Sequence, residues 1–280
     1  MRAHSIRPVF PLAAGIAALA LAVALSACQS SRSSLGVPLS VEAEAASEAN
    51  IESLTAVIQR EPANAEAYNV RGSAFGRAGK YREAIADFNK ALEINPRFAR
   101  AYANRALVHR RNGDIEQAAQ DYNRAISADP RYAPAYVGRG NIFRQQGRLD
   151  VALSDYNAAI GIDSTDPQAF HNRGLAYQAQ NRHQQAIEDF TTAIGLSPRT
   201  AEPYDGRGLS YLALGDARAA LDDFNEAVKR NSRSFKAWTN QGLALEALGE
   251  RQKAAAAFAR AANLNSAYQP AKDGMRRTRG

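Results

Sequence analysis

Residues 65–98 read AEAYNVRGSAFGRAGKYREAIADFNKALEINPRF, and residues 99–132 read ARAYANRALVHRRNGDIEQAAQDYNRAISADPRY. Laid one above the other, the two windows agree in residue class at positions 4, 8, 15, 20, 24 and 27, where the side chain is aromatic, small or absent. The same register continues through 133–166, 167–200, 201–234 and 235–268. Position 4 of each window is Tyr68, Tyr102, Tyr136, Phe170, Tyr204 and Trp238, and position 8 is Gly72, Ala106, Gly140, Gly174, Gly208 and Gly242. Position 20 is alanine throughout: Ala84, Ala118, Ala152, Ala186, Ala220 and Ala254. Position 24 is Phe88, Tyr122, Tyr156, Phe190, Phe224 and Phe258, and position 27 is Ala91, Ala125, Ala159, Ala193, Ala227 and Ala261.

Positions 4, 8 and 11 share one face of a helix, as do 20, 24 and 27. Small residues at 8 and 20 let two helices approach closely, and the aromatics at 4 and 24 fill the space beside them. Position 15 is Gly79, Gly113, Gly147, Asn181, Gly215 and Gly249, residue types that accept the left-handed turn closing a helix. Pro96, Pro130 and Pro198 at position 32 stop the second helix. Period and pattern together resemble the tetratricopeptide repeat (TPR) over 204 of 280 residues. The resemblance implies an all-α fold, a right-handed α-solenoid of antiparallel helix pairs. Such a stack needs polar caps. Ala46 to Arg60 aligns with the second helix of a repeat, with Leu54 and Val57 at its core positions, and residues 46–64 form the N-terminal cap. Residues 269–280 form a short closing helix in which Met275 covers the last repeat.

Position 7 is Arg71, Arg105, Arg139, Arg173 and Arg207, then Gln241; position 23 is Asp87, Asp121, Asp155, Asp189 and Asp223, then Ala257. The two charges vanish together in the sixth repeat, so they form an Arg–Asp pair between the two helices of each repeat. Half exposed, such a pair is worth about 0.2–1 kcal/mol.

Ahead of the repeats, Arg2, His4 and Arg7 precede an apolar run, Leu12 to Leu25, too short to span a bilayer and suited to an export signal. It ends in Leu25-Ser26-Ala27-Cys28, which resembles the lipobox of bacterial lipoproteins. That resemblance implies cleavage of residues 1–27, acylation of Cys28 and insertion of its lipid into a bilayer. Gln29 at the next position implies sorting to the outer membrane, on its periplasmic face. Residues 28–45, rich in Ser, Ala and Glu, read as a flexible tether. The net charge of +7 falls to +5 once Arg2 and Arg7 leave with the signal. Nucleic acid is an unsuitable partner for an exported protein, so the charge points to envelope anions, acidic protein or solubility alone.

Chemistry-bearing clusters are missing from the pattern. The single cysteine belongs to the anchor and cannot serve as a nucleophile beside a histidine. His109 stands at position 11, where other repeats carry Phe75, Phe143, Tyr177 and Tyr211, and reads as a core residue. No glycine-rich phosphate loop follows a strand. The expectation is a protein without catalytic residues, metal or cofactor.

In TPR proteins the first helices line a concave groove, and positions 2, 5, 6, 9, 12 and 13 meet peptides. Carried onto this chain, position 6 puts Asn104, Asn172 and Asn240 on alternate rungs, where an amide can both donate to and accept from a peptide backbone. Positions 12 and 13 place Arg77, Arg110, Arg111 and Arg144 early. Position 9 holds Asn141 and then Leu175, Leu209 and Leu243, with Leu212 nearby. The groove is therefore expected to be basic towards its N-terminal end and apolar towards its C-terminal end. The lysines or arginines that chaperone-tail receptors place around their asparagines are replaced here by Pro134, Gly138, Glu202 and Gly206, so no carboxylate clamp is expected. The resemblance implies an envelope adaptor that recruits a periplasmic protein such as a peptidoglycan enzyme. Its alternative is an assembly factor or pilotin for a pilus or secretion system. A homodimer through an end repeat is a further implication of the family.

Overall fold

Fourteen helices and no strand occur among the described residues of the computed structural model, which describes residues 39–279. The expected leader, Cys28 and the tether as far as residue 38 lie outside them. The first helices of the six repeats are α2 (Ala65–Arg77), α4 (Ala99–Asn112), α6 (Ala133–Gln145), α8 (Pro167–Ala179), α10 (Glu202–Ala213) and α12 (Phe235–Ala247). Their second helices are α3 (Tyr81–Ile94), α5 (Ile115–Ala128), α7 (Leu149–Ile162), α9 (His183–Leu196), α11 (Ala217–Arg230) and α13 (Arg251–Leu264). Flanking them are α1 (Leu39–Arg60) and α14 (Gln269–Thr278). Each first helix is followed within two residues by one with positive φ, from 58° at Asn181 to 92° at Gly113. That left-handed residue turns the chain back so that the second helix runs antiparallel to the first.

The repeating columns become the core. All six position-20 alanines are 0% exposed, and the position-24 aromatics are 0–4% exposed. At position 8, a Cβ on Gly72 would lie 3.0 Å from the Phe88 ring and one on Gly140 2.8 Å from Tyr156. Glycine there sets how closely the two helices approach. First helices of successive repeats touch one another, α2 on α4 and so on to α12 on α14, whereas no such contact joins successive second helices. The stack therefore curves towards its first helices, which form the inner wall.

The Arg–Asp pairs are present in all five repeats that encode them. Arg105 Nε and Nη2 donate to the two Asp121 oxygens at 2.7 Å each, a fork repeated at Arg71–Asp87, Arg139–Asp155, Arg173–Asp189 and Arg207–Asp223. They are not half exposed: the aspartate side chains retain only 2–8% of their accessible surface and the arginines 13–22%. The fork hydrogen bond to aspartate raises the pKa of Arg71, Arg139, Arg173 and Arg207. The free Nη1 of each arginine donates backwards to position 25 of the preceding repeat: Asn89, Asn123, Asn157 and Thr191. Arg71 reaches Thr55 of α1 in the same way, so this part of α1 stands in for a preceding second helix. In the sixth repeat only this backward bond survives, from Gln241 Nε2 to Asn225 at 2.7 Å.

The N-terminal end departs from the sequence reading. Helix α1 begins at Leu39, inside the stretch expected as a tether, because residues 42–49 are almost wholly Glu and Ala, both strong helix formers. Among its described side chains the buried apolar residue is Ile58, 8% exposed, while Val57 is turned outwards at 38%. Helix α14 covers the last repeat through Met275, and Arg277 forks onto Glu246 at 2.7–2.8 Å.

Candidate functional site

The inner wall carries positions 2, 5, 6, 9, 12 and 13 of each first helix. Two of its three position-6 asparagines are rungs between repeats. Asn104 Nδ2 donates to Asn69 Oδ1 at 2.9 Å and to Ser73 Oγ at 3.3 Å, and Asn240 Nδ2 donates to Asp205 Oδ1 at 2.8 Å. Asn172 is buried at 9% exposure. Both N–H donors of the expected backbone clamp are thus already committed at Asn104, and one of the two at Asn240.

The arginines divide into two groups. Arg77 and Arg111 are exposed at helix ends. Arg110 and Arg144 are partly buried, with Arg110 beside the Tyr122 hydroxyl and Arg144 beside that of Tyr156. Burial pushes the Tyr156 phenol up to about 12 and that of Tyr122 upwards as well, against the pull of the neighbouring guanidinium. Tyr156 Oη donates to Asn141 Oδ1 at 2.8 Å. Arginine occupies position 12 only in the two repeats whose position 24 is tyrosine, because a buried hydroxyl needs a polar neighbour. That covariation was visible in the columns and separates these arginines from a purely solvated basic surface.

Leu175 and Leu209 meet in a cavity of about 320 Å³ on the inner wall, between α8, α10 and α12. Leu209 is 37% exposed, the free apolar surface of the site. Leu212 and Leu243 instead pack against the cluster around Phe224 and Phe258 and extend the core. The cavity also contains His171, Asp205 and Lys236, which the sequence reading did not single out, and Glu202, named there only as the replacement of a cation. The signal for His171 and Asp205 lay at position 5, where they follow Asn69, Ala103 and Val137. The His171 ring lies 5.5 Å from that of Phe190, and burial lowers its pKa, which favours the neutral imidazole. Burial raises the Asp205 carboxyl, partly offset by the bond from Asn240. The arrangement offers an apolar seat with carboxylates and one ammonium at its edge, suited to holding a side chain by non-covalent contact. Gln178 Nε2 braces this wall by donating to the Gly206 carbonyl at 2.7 Å and to Ser210 Oγ at 2.8 Å. Among the described residues no three His, Cys, Asp or Glu side chains are grouped to hold a metal ion.

Comparison with known proteins agrees with this architecture. Tetratricopeptide repeat models match residues 51–98, 70–133, 103–167 and 206–270, and another matches 167–199. No curated protein matches the sequence. Among solved structures, a chain of the APC/C hetero-tetramer Cut9–Hcn1 superposes with a TM-score of 0.75 at 19% identity, over 86% of this chain and 48% of that one. This chain thus spans about half of that protein's length. Pseudomonas aeruginosa pilF gives a TM-score of 0.69 at 20% identity, covering 78% of this chain and 99% of that one. PilW, a type IV pilus biogenesis factor, gives 0.68 at 17% identity, covering 75% and 97%.

Proposed function

Since the chain belongs to the tetratricopeptide repeat family, a family of scaffolds for protein interactions, we propose that it is a non-catalytic adaptor that holds a partner protein along its inner wall. The observation that carries this reading is the open seat at Leu175 and Leu209, edged by Glu202, Asp205 and Lys236. A partner segment would insert an apolar side chain between the leucines and present backbone amides or a cation to the carboxylates. The lipobox-like Leu25-Ser26-Ala27-Cys28 extends the proposal to an acylated protein on the periplasmic face of the outer membrane, recruiting cell-envelope or peptidoglycan enzymes. Several acyl chains on one cysteine would give a stable anchor.

Leu175→Asp/Leu209→Asp is expected to lower recovery of the cross-linked partner from solubilised membranes at least tenfold while leaving helical circular dichroism unchanged. Equal recovery with parent and variant would remove the inner wall from the proposal. Cys28→Ser is expected to shift the protein from the membrane pellet to a soluble or uncleaved form, read by fractionation. Full membrane retention of that variant would end the lipoprotein reading without touching the groove.

The fold likeness to PilW favours a second reading, an assembly factor or pilotin for a pilus or secretion system. Identifying the cross-linked partner as a pilus or secretion component would select it.

A further inference from the structure

In repeats 1 to 5 the space between a first helix and the second helices on either side is filled by the position-7 arginine. Its guanidinium lies 5.5–5.9 Å from the position-4 ring, with the position-23 aspartate in front of it. The sixth repeat departs from this pattern at three positions that face one another. Gln241 replaces the arginine, Ala257 replaces the aspartate, and Leu245 replaces the ring found at position 11 in the other five repeats. All three changes shorten the side chain. Together they leave a cavity of about 560 Å³ between α11, α12 and α13, on a different side of the repeat from the inner wall.

The floor of this cavity is apolar: Leu221, Leu245 and Ala257 are 8, 6 and 4% exposed. One wall is Trp238, whose Nε1 donates to the Ser232 carbonyl at 2.9 Å and so fixes the ring. The rim carries Arg218, Lys253 and Arg260 against one carboxylate, Glu250. Glu250 is already bonded to Lys253 at 2.6 Å and also faces Arg218. Neither Arg218 nor Arg260 has a carboxylate within 4.0 Å among the described residues.

We propose that this cavity is a second binding site, for an acidic peptide segment of a partner protein that inserts one aromatic side chain. The ring would pack on Trp238 and the aliphatic floor, as aromatic pairs do in offset or edge-on contact. Flanking carboxylates would meet Arg218, Arg260 and Lys253. A guanidinium or ammonium from a partner is disfavoured although arginine fills this space in the other repeats, because its aspartate is now Ala257 and the rim is cationic. The exposed charges make binding weaken with salt.

Trp238 is the only tryptophan of the chain and lines this cavity, so its fluorescence reports on the cavity's occupancy. The test titrates the full chain with a synthetic nine-residue peptide carrying one phenylalanine flanked by aspartates, and with its counterpart bearing lysines in their place. The expected result is a saturable change in Trp238 emission with the acidic peptide and at least tenfold weaker binding of the lysine peptide. Gln241→Arg/Leu245→Tyr/Ala257→Asp restores the pattern of the other repeats and should refill the cavity, weakening binding at least tenfold by calorimetry without lowering the melting temperature. Should that variant fold poorly, Arg218→Glu/Arg260→Glu changes only exposed side chains and is expected to weaken acidic-peptide binding by the same factor. No emission change, equal binding of the lysine peptide, or undiminished binding by a folded variant overturns the proposal. Leu175→Asp/Leu209→Asp leaves this site intact, so the two sites can fail separately.

Discussion

Asp121→Ala is expected to destabilise the protein by about 3–5 kcal/mol, the cost of stranding one member of a buried ion pair. Asp121 keeps 2% of its side-chain surface and accepts from Arg105 twice and from Arg124 at 3.0 Å. Its removal leaves the Arg105 guanidinium, 13% exposed, with only Asn89 as a polar partner among those it now uses. Exposed Arg124 simply returns to water. Arg105→Met/Asp121→Leu removes both charges and is expected to lie within about 1–2 kcal/mol of the parent, since apolar replacements of such pairs are often tolerated. Urea unfolding followed by circular dichroism compares the three proteins. An Asp121→Ala midpoint equal to the parent's would mean that Arg105 finds water and that the pair is as weak as an exposed one.

The second large effect is steric. A Cβ on Gly138 would lie 2.2 Å from Tyr122 Cζ, well inside contact distance, and the ring cannot retreat because Tyr122 is 4% exposed. Gly138→Ala is therefore expected to cost about 1–3 kcal/mol through overpacking, outweighing the roughly 1 kcal/mol that alanine contributes within a helix. Gly161 in α7 has nothing within 4 Å of the equivalent point, so Gly161→Ala should instead stabilise by up to about 1 kcal/mol. The same substitution thus takes opposite signs at two helical glycines. Thermal melting of the pair checks it, and a stabilised Gly138→Ala would contradict the close approach.

Repeat register was readable because a helix face is local: positions 20, 24 and 27 recur within one window and need no knowledge of neighbours. The Arg–Asp pair was readable too, since both residues disappear together at Gln241 and Ala257. Contacts across a repeat boundary were not. The bond from Arg105 to Asn89, or from Asn104 to Asn69, depends on the rise and rotation between successive helix pairs, which a single window does not encode. The asparagines of position 6 therefore read as ligands for a peptide when two of them are ties to the preceding helix. Leu175 and Leu209 fell in the open seat, but His171 and Asp205 escaped notice because position 5 is apolar in repeats 2 and 3. Val57 was misplaced by one residue, since Ile58 takes the buried place in α1.

The direction of the arginine bonds has an evolutionary consequence. Each guanidinium and its carboxylate lie within one repeat, whereas the group that accepts across the joint, Asn89, Asn123, Asn157 or Thr191, is uncharged. Duplicating or losing one 34-residue unit consequently leaves every Arg–Asp pair whole, and the arginine bond it breaks or makes involves only a neutral amide or hydroxyl. Copy number can drift one unit at a time without passing through an intermediate that orphans a member of these pairs.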